Sequence, residues 1–216
     1  MISFGKLSRI TLFFAFLFGL ILFQIYQYAD ISLYNSGDIC SINRNTVYNL
    51  ITNTQKMFFI HSLGMLLFTE LVNRLYMKPE VRIRYGKTFI YLLVIRGIVL
   101  SFLYPITVFS ALLFSGVIIG TPLKLDFLYE PVKLYFFCLY CFAFYQATYT
   151  VSKNTYLSVL LPFLANFIIM SIAISVNYFG ADSNIYEFIS SLPALIGVAV
   201  ISQTISMSII RKRDYL

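Results

Sequence analysis

Tryptophan is absent from this chain of 216 residues, histidine occurs once, at His61, and cysteine only three times. Without tryptophan, any aromatic belt at a membrane interface must be built from tyrosine, of which there are 17. One histidine and three cysteines supply neither the usual ligand sets of a metal site nor a disulfide framework. Charge is scarce as well, at 12% of residues, with Asp and Glu together numbering nine. Every aspartate falls in a predicted loop or tail and Glu70 at a helix end, so no pair of carboxylates lies inside a predicted span. Carriers driven by protons or sodium place an ionisable group near the bilayer centre, and that class is disfavoured here. Gly86, Lys87 and Thr88 spell the end of a Walker A motif, but Val81 stands five before Gly86 where the motif needs glycine. No ATP site and no catalytic constellation are expected in the chain itself.

What is abundant is apolar surface. Hydrophobic residues make up 59% of the chain, 22 of them phenylalanine, which is far more than a soluble domain of this size needs. The expected fold class is therefore an all-α polytopic membrane protein forming a single transmembrane domain over 1–216. Six transmembrane helices are predicted, at about 10–28, 55–72, 95–119, 133–151, 156–178 and 193–210. The apolar run from Phe89 to Ile119 is too long for one perpendicular span and too short for two. Its first turns are expected at the interface, with Arg96 snorkelling to the cytoplasmic side and a kink near Pro105. The longest polar stretch, 29–53, is expected outside the cell.

Under an arrangement with both termini inside, twelve of the sixteen lysines and arginines fall on the cytoplasmic side. The four outside are Arg44, Lys56, Lys124 and Lys133. Positive charge is retained on the cytoplasmic side of membranes, so this bias predicts both termini to be cytoplasmic. It also explains the net charge of +7 without a nucleic-acid partner.

The cations concentrate in one island, Thr69 to Phe89. Glu70, Arg74 and Lys78 follow at spacings of four, stacked on one face of a helix leaving the second span. Pro79 ends that helix and is placed to start another, with Glu80 at its positive end, Arg82 and Arg84 further along, and Gly86 as terminator. Val81 and Tyr85 give this short helix a small apolar face. Two readings follow: a docking element for a partner, or a basic loop that only fixes topology.

Inside the spans the polarity is uncharged. Gln24, Gln146, Asn166, Asn177 and Gln203 either line a translocation path or bond one helix to its neighbour. Gly116 with Gly120, and Ser202 with Ser206, form small-xxx-small pairs suited to helix packing. Cys138 and Cys141 have redox-motif spacing but lie in an apolar helix, where they read as small packing residues. Together with His61 they also define a rival, an intramembrane cysteine-type enzyme.

Six spans, cytoplasmic termini, a basic helix between spans two and three, no ion-coupling carboxylate and no ATP site form a combination that resembles the membrane (permease) subunits of bacterial ATP-binding-cassette exporters of the second class. The resemblance is to the compact members of peptide, bacteriocin and lantibiotic export or immunity systems. In that family the loop between spans two and three carries a coupling helix that docks on the ATPase. The matching residues are Glu70, Arg74, Lys78, Glu80, Val81, Arg82, Arg84 and Tyr85, and the ending Arg211 to Leu216 is similar to the family's basic C-terminus. The resemblance implies a cytoplasmic ATPase dimer as partner, a second copy of the chain or a sister permease, and ATP and magnesium held by the partner alone. It implies a bacterial cytoplasmic membrane protein that forms a path for a peptide or other amphipathic substrate. A non-transporting membrane binding or immunity protein is the alternative.

Overall fold

A computed structural model describes residues 11–19, 22, 54–73, 88–119, 129–178 and 188–214. The described residues are helical apart from short turns, with no strand among them. In chain order, α1 covers 11–19, and α2 comprises Thr54–Lys56, Met57–His61 and Ser62–Asn73. Next come α3 (Phe89–Ile119), α4 (Tyr129–Ser152), α5 (Thr155–Tyr178) and α6 (Leu192–Asp214). Three segments are long and apolar enough to cross a membrane, Tyr91–Ala111, Thr155–Val176 and Leu192–Lys212, and they mark a membrane protein. A shorter apolar stretch, Met57–Leu71, lies in α2.

The helix ends follow from local chemistry. Glu130 sits in the first turn of α4, where the helix dipole favours an anion, and accepts a 3.1 Å ion pair from Lys133. At the other end Lys153 adopts a left-handed conformation, φ 51°, and its N–H closes on the Tyr149 carbonyl at 2.8 Å. Asn154 then caps α5, its Oδ1 accepting from the N–H groups of Tyr156 (2.9 Å) and Leu157 (3.4 Å). Lys153 and Asn154 alone thus reverse the chain between α4 and α5. Ser191 caps α6 in the same manner through Ala194 N–H at 3.4 Å.

The apolar run after the charged island folds as one helix that holds both the turns expected at the interface and the span expected from about 95. Helix α3 is continuous from Phe89, because no breaker lies between Gly86 and Pro105 and the half-buried Arg96 is accommodated without interrupting it. Within α2, residues Met57–His61 form a π-helical turn, with the Ser62 N–H reaching back to the Met57 carbonyl. Such a turn widens the helix by one residue and re-aims the side chains that follow it.

Helix α4 is the centre of the bundle and packs against α2, α3, α5 and α6. It buries Leu134, Phe137, Cys138, Tyr140, Cys141, Phe142, Ala143, Tyr145, Gln146 and Thr150, residues drawn from most of its circumference. By contrast α5 and α6 present Leu160, Leu164, Ile168, Ile172, Val198, Ile201 and Ile205 outward, as helices facing lipid do. Apolar contacts gain little free energy over lipid, so helix association rests on close packing and on polar bonds. Phe13 and Phe14 of α1 pack on Phe68 of α2 at ring distances of 5.5 and 4.9 Å, and Phe58 of α2 meets Phe137 of α4 at 5.0 Å.

Two glycines set how closely the helices approach. A methyl group on Gly97 of α3 would come within 2.5 Å of the Phe142 ring of α4, and one on Gly64 of α2 would meet the hydroxyl of Tyr104 of α3. Gly97→Ala and Gly64→Ala are each expected to destabilise the detergent-solubilised protein by about 1–3 kcal/mol. The open, exposed Gly197 of α6 serves as control, since Gly197→Ala meets nothing. Denaturant titration of the three variants, followed by circular dichroism, checks this ordering.

Candidate functional site

The apolar bundle is tied by four groups of buried polar contacts, and together they form the candidate functional region. The first lies just after the π turn. Asn166 of α5 is fully buried; its Nδ2 donates to Ser62 Oγ of α2 at 2.7 Å, and its Oδ1 accepts from the Tyr140 hydroxyl of α4 at 2.9 Å. The Cys141 sulfur accepts from the same Nδ2 at 3.7 Å. One amide therefore joins three helices, using its donor and acceptor ends on different partners.

The second group adjoins it. His61 Nδ1 lies 3.2 Å from the Tyr104 hydroxyl, with the two rings edge to face at 5.9 Å, which couples α2 to α3. Cys141 reaches the same region through the Asn166 amide, which also bonds Ser62, the residue after His61, and Cys138 lies one turn before Cys141 on α4. The fold thus gathers His61 and both cysteines into one neighbourhood. The polar group at the Cys141 thiol is the Asn166 amide nitrogen, however, which donates to the sulfur and does not take a proton from it as a base would. Among the described residues no cluster of three His, Cys, Asp or Glu suits a metal ion.

At the end of α2 lies the third group, where the Tyr145 hydroxyl of α4 donates to the Glu70 carboxylate in a buried bond. Glu70 is only 8% exposed and Tyr145 1%, and the Tyr145 ring stacks on Tyr149 at 6.1 Å. Glu70 is the residue at which the charged island begins, so this bond attaches the root of the island to the central helix.

The fourth group is the seam between α4 and α6, the most extensively packed helix pair. Gln203 Nε2 of α6 donates to the Leu139 carbonyl of α4 at 3.4 Å. Gln146 and Ser206 are buried on the same two helices, at 2% and 1% exposure.

Of the residues singled out in the sequence, Glu70, Gln146, Asn166, Gln203 and Ser206 are all buried or half-buried in the bundle, and Ser202 is half-buried on α6. Gln146, Gln203 and Ser206 lie on the α4–α6 helix pair, whereas Asn166 joins α5 to α2 and α4. Gly116 and Asn177 lie within α3 and α5. Gln24, Arg74, Lys78, Glu80, Val81, Arg82, Arg84, Tyr85, Gly120 and the stretch 29–53 lie outside the described residues. Ser62, Tyr104, Tyr140 and Tyr145 escaped sequence reasoning. The available signal was tyrosine in mid-span rather than at span ends, where an interfacial belt would place it.

Asn166→Leu removes the shared amide and leaves the Tyr140 and Ser62 hydroxyls without their partner. The expected loss is about 1–3 kcal/mol of stability, and Asn166→Gln is not expected to restore it because the longer amide cannot reach both groups. Thermal unfolding in detergent reads the effect. Compared with known proteins, the chain matches no family, no curated protein and no solved structure.

Proposed function

We propose that the chain is the membrane subunit of an ATP-binding-cassette transporter, coupled to a separate cytoplasmic ATPase. The observation that carries this reading is the buried bond between Glu70 and Tyr145. A docking element at 70–88 is useful only if its movement reaches the bundle, and Glu70 is held by the helix against which α2, α3, α5 and α6 all pack. A displacement of the island then moves α4, and with α4 the contacts of the whole bundle. In this reading the chain crosses a bacterial cytoplasmic membrane six times with both termini inside. It pairs with a second copy or a sister permease and forms a path for a peptide or other amphipathic substrate. It contributes no chemistry of its own; ATP and magnesium belong to the partner.

The resemblance of the basic helix predicted at 79–86 to a coupling helix supports the same reading, as does the bias of lysine and arginine. A basic loop acting only on topology or anionic lipid predicts instead that charge number matters and order does not. Glu80→Arg and Arg82→Glu are expected to abolish co-purification of the ATPase while membrane insertion is retained. Exchange of Arg82 with a neighbouring uncharged position tests arrangement at constant charge. Normal recovery of the ATPase with all these variants overturns the proposal. Tyr145→Phe is expected to leave the ATPase bound but lower substrate-stimulated ATP hydrolysis, because the root of the island loses its attachment to α4.

A further inference from the structure

Hydroxyls on these helices are, as a rule, satisfied by their own backbone. Thr107, Thr148, Thr150, Ser171, Ser175 and Thr204 each donate to a carbonyl one turn back. Ser206 breaks this pattern. Its Oγ is buried without a hydrogen-bond partner, and so is Nε2 of Gln146. An unpaired polar group in a water-free interior costs roughly 1–3 kcal/mol, so two on one helix pair are not neutral packing elements.

Their placement is shared. On α4, Leu139, Ala143, Gln146 and Thr150 are spaced 4, 3 and 4 and form one stripe. On α6, Leu195, Ala199, Gln203, Ser206 and Ile210 form another, each residue buried or half-buried. The bond from Gln203 to the Leu139 carbonyl shows that these stripes face each other. Consecutive spans alternate in direction, which makes α4 and α6 parallel. Gln146 and Ser206 then lie on the same side of that bond, toward the helix ends that carry Lys153 and Arg211. Neither stripe contains a charged residue, and Ala143, Ala199 and Ser206 leave little side-chain bulk between the backbones.

We infer that this half of the α4–α6 seam is a hydration site, admitting water from the Lys153 and Arg211 side to the unpaired groups of Gln146 and Ser206. Water supplies both the acceptor that the amide nitrogen needs and a partner for the hydroxyl. The chemistry of the seam suits water and neutral hydrogen-bonding groups, and offers nothing to an ion. The inference stands independently of the ATPase partner.

The test is thiol accessibility in native membrane vesicles. Ser206→Cys exchanges an oxygen for a sulfur and preserves the packing. Ala199→Cys places a thiol about two turns away on the same stripe. Both are treated from either side with a small, charged, membrane-impermeant thiosulfonate; the unsubstituted chain supplies the baseline, and labelling after SDS denaturation supplies the total. The reactive species is the thiolate, which needs water to form, so Ser206→Cys is expected to react about tenfold or more faster than Ala199→Cys. The faster reaction is expected from the side of Lys153 and Arg211. A rate for Ser206→Cys no greater than that for Ala199→Cys overturns the inference. Because ATPase association is read by co-purification and the seam by labelling, each proposal can fail alone.

Discussion

Inside a bilayer a polar group has no water to return to, and the organisation of this bundle follows from how the polar groups of α4 are accommodated. Tyr140, Tyr145, Gln146 and Thr150 would be costly on a helix facing lipid. In the centre of the bundle three neighbouring helices supply partners instead: Asn166 from α5 to Tyr140, Glu70 from α2 to Tyr145, and Gln203 from α6 to the backbone at Leu139. Helices α5 and α6 can be apolar outward because α4 concentrates the polarity inward. The same arrangement explains why α4, the most enclosed helix, is not among the segments apolar enough to be recognised as spans by composition.

Geometry at α2 makes these bonds attainable. The π turn at Met57–His61 precedes two residues, His61 and Ser62, that bond to different helices, α3 and α5. In a regular helix consecutive residues diverge by about 100°, and the wider turn sets which way that pair faces. Gly64, a half turn further, removes the side chain that would push Tyr104 away. The polar contact at His61 and the close approach at Gly64 thus depend on the same few residues.

Much of this fold is legible in the sequence, and what is legible is local. The all-helical character follows from composition, and three of the expected spans overlap helices long and apolar enough to cross a membrane. Helix α3 runs through Arg96 without a break, as a single arginine able to snorkel allows. The π turn left no mark, because MFFIH is as apolar as its surroundings. Partner choice was also hidden: an amide in an apolar run either lines a path or bonds a neighbouring helix, and the sequence does not say which helix it meets. Asn166 proved to be a three-helix joint, while the Gln146 amide nitrogen has no partner, although as residues in apolar runs the two look alike.

The two-residue reversal at Lys153 and Asn154 bears on how the protein enters its membrane. A helix as polar as α4 gains little from partitioning into lipid alone, whereas α5 is strongly apolar and follows almost at once. With so short a connection the two form one antiparallel hairpin. Formation of that hairpin is enough to bring Asn166 opposite Tyr140. The central helix thereby meets one of its polar partners within its own hairpin, ahead of α6 in the chain.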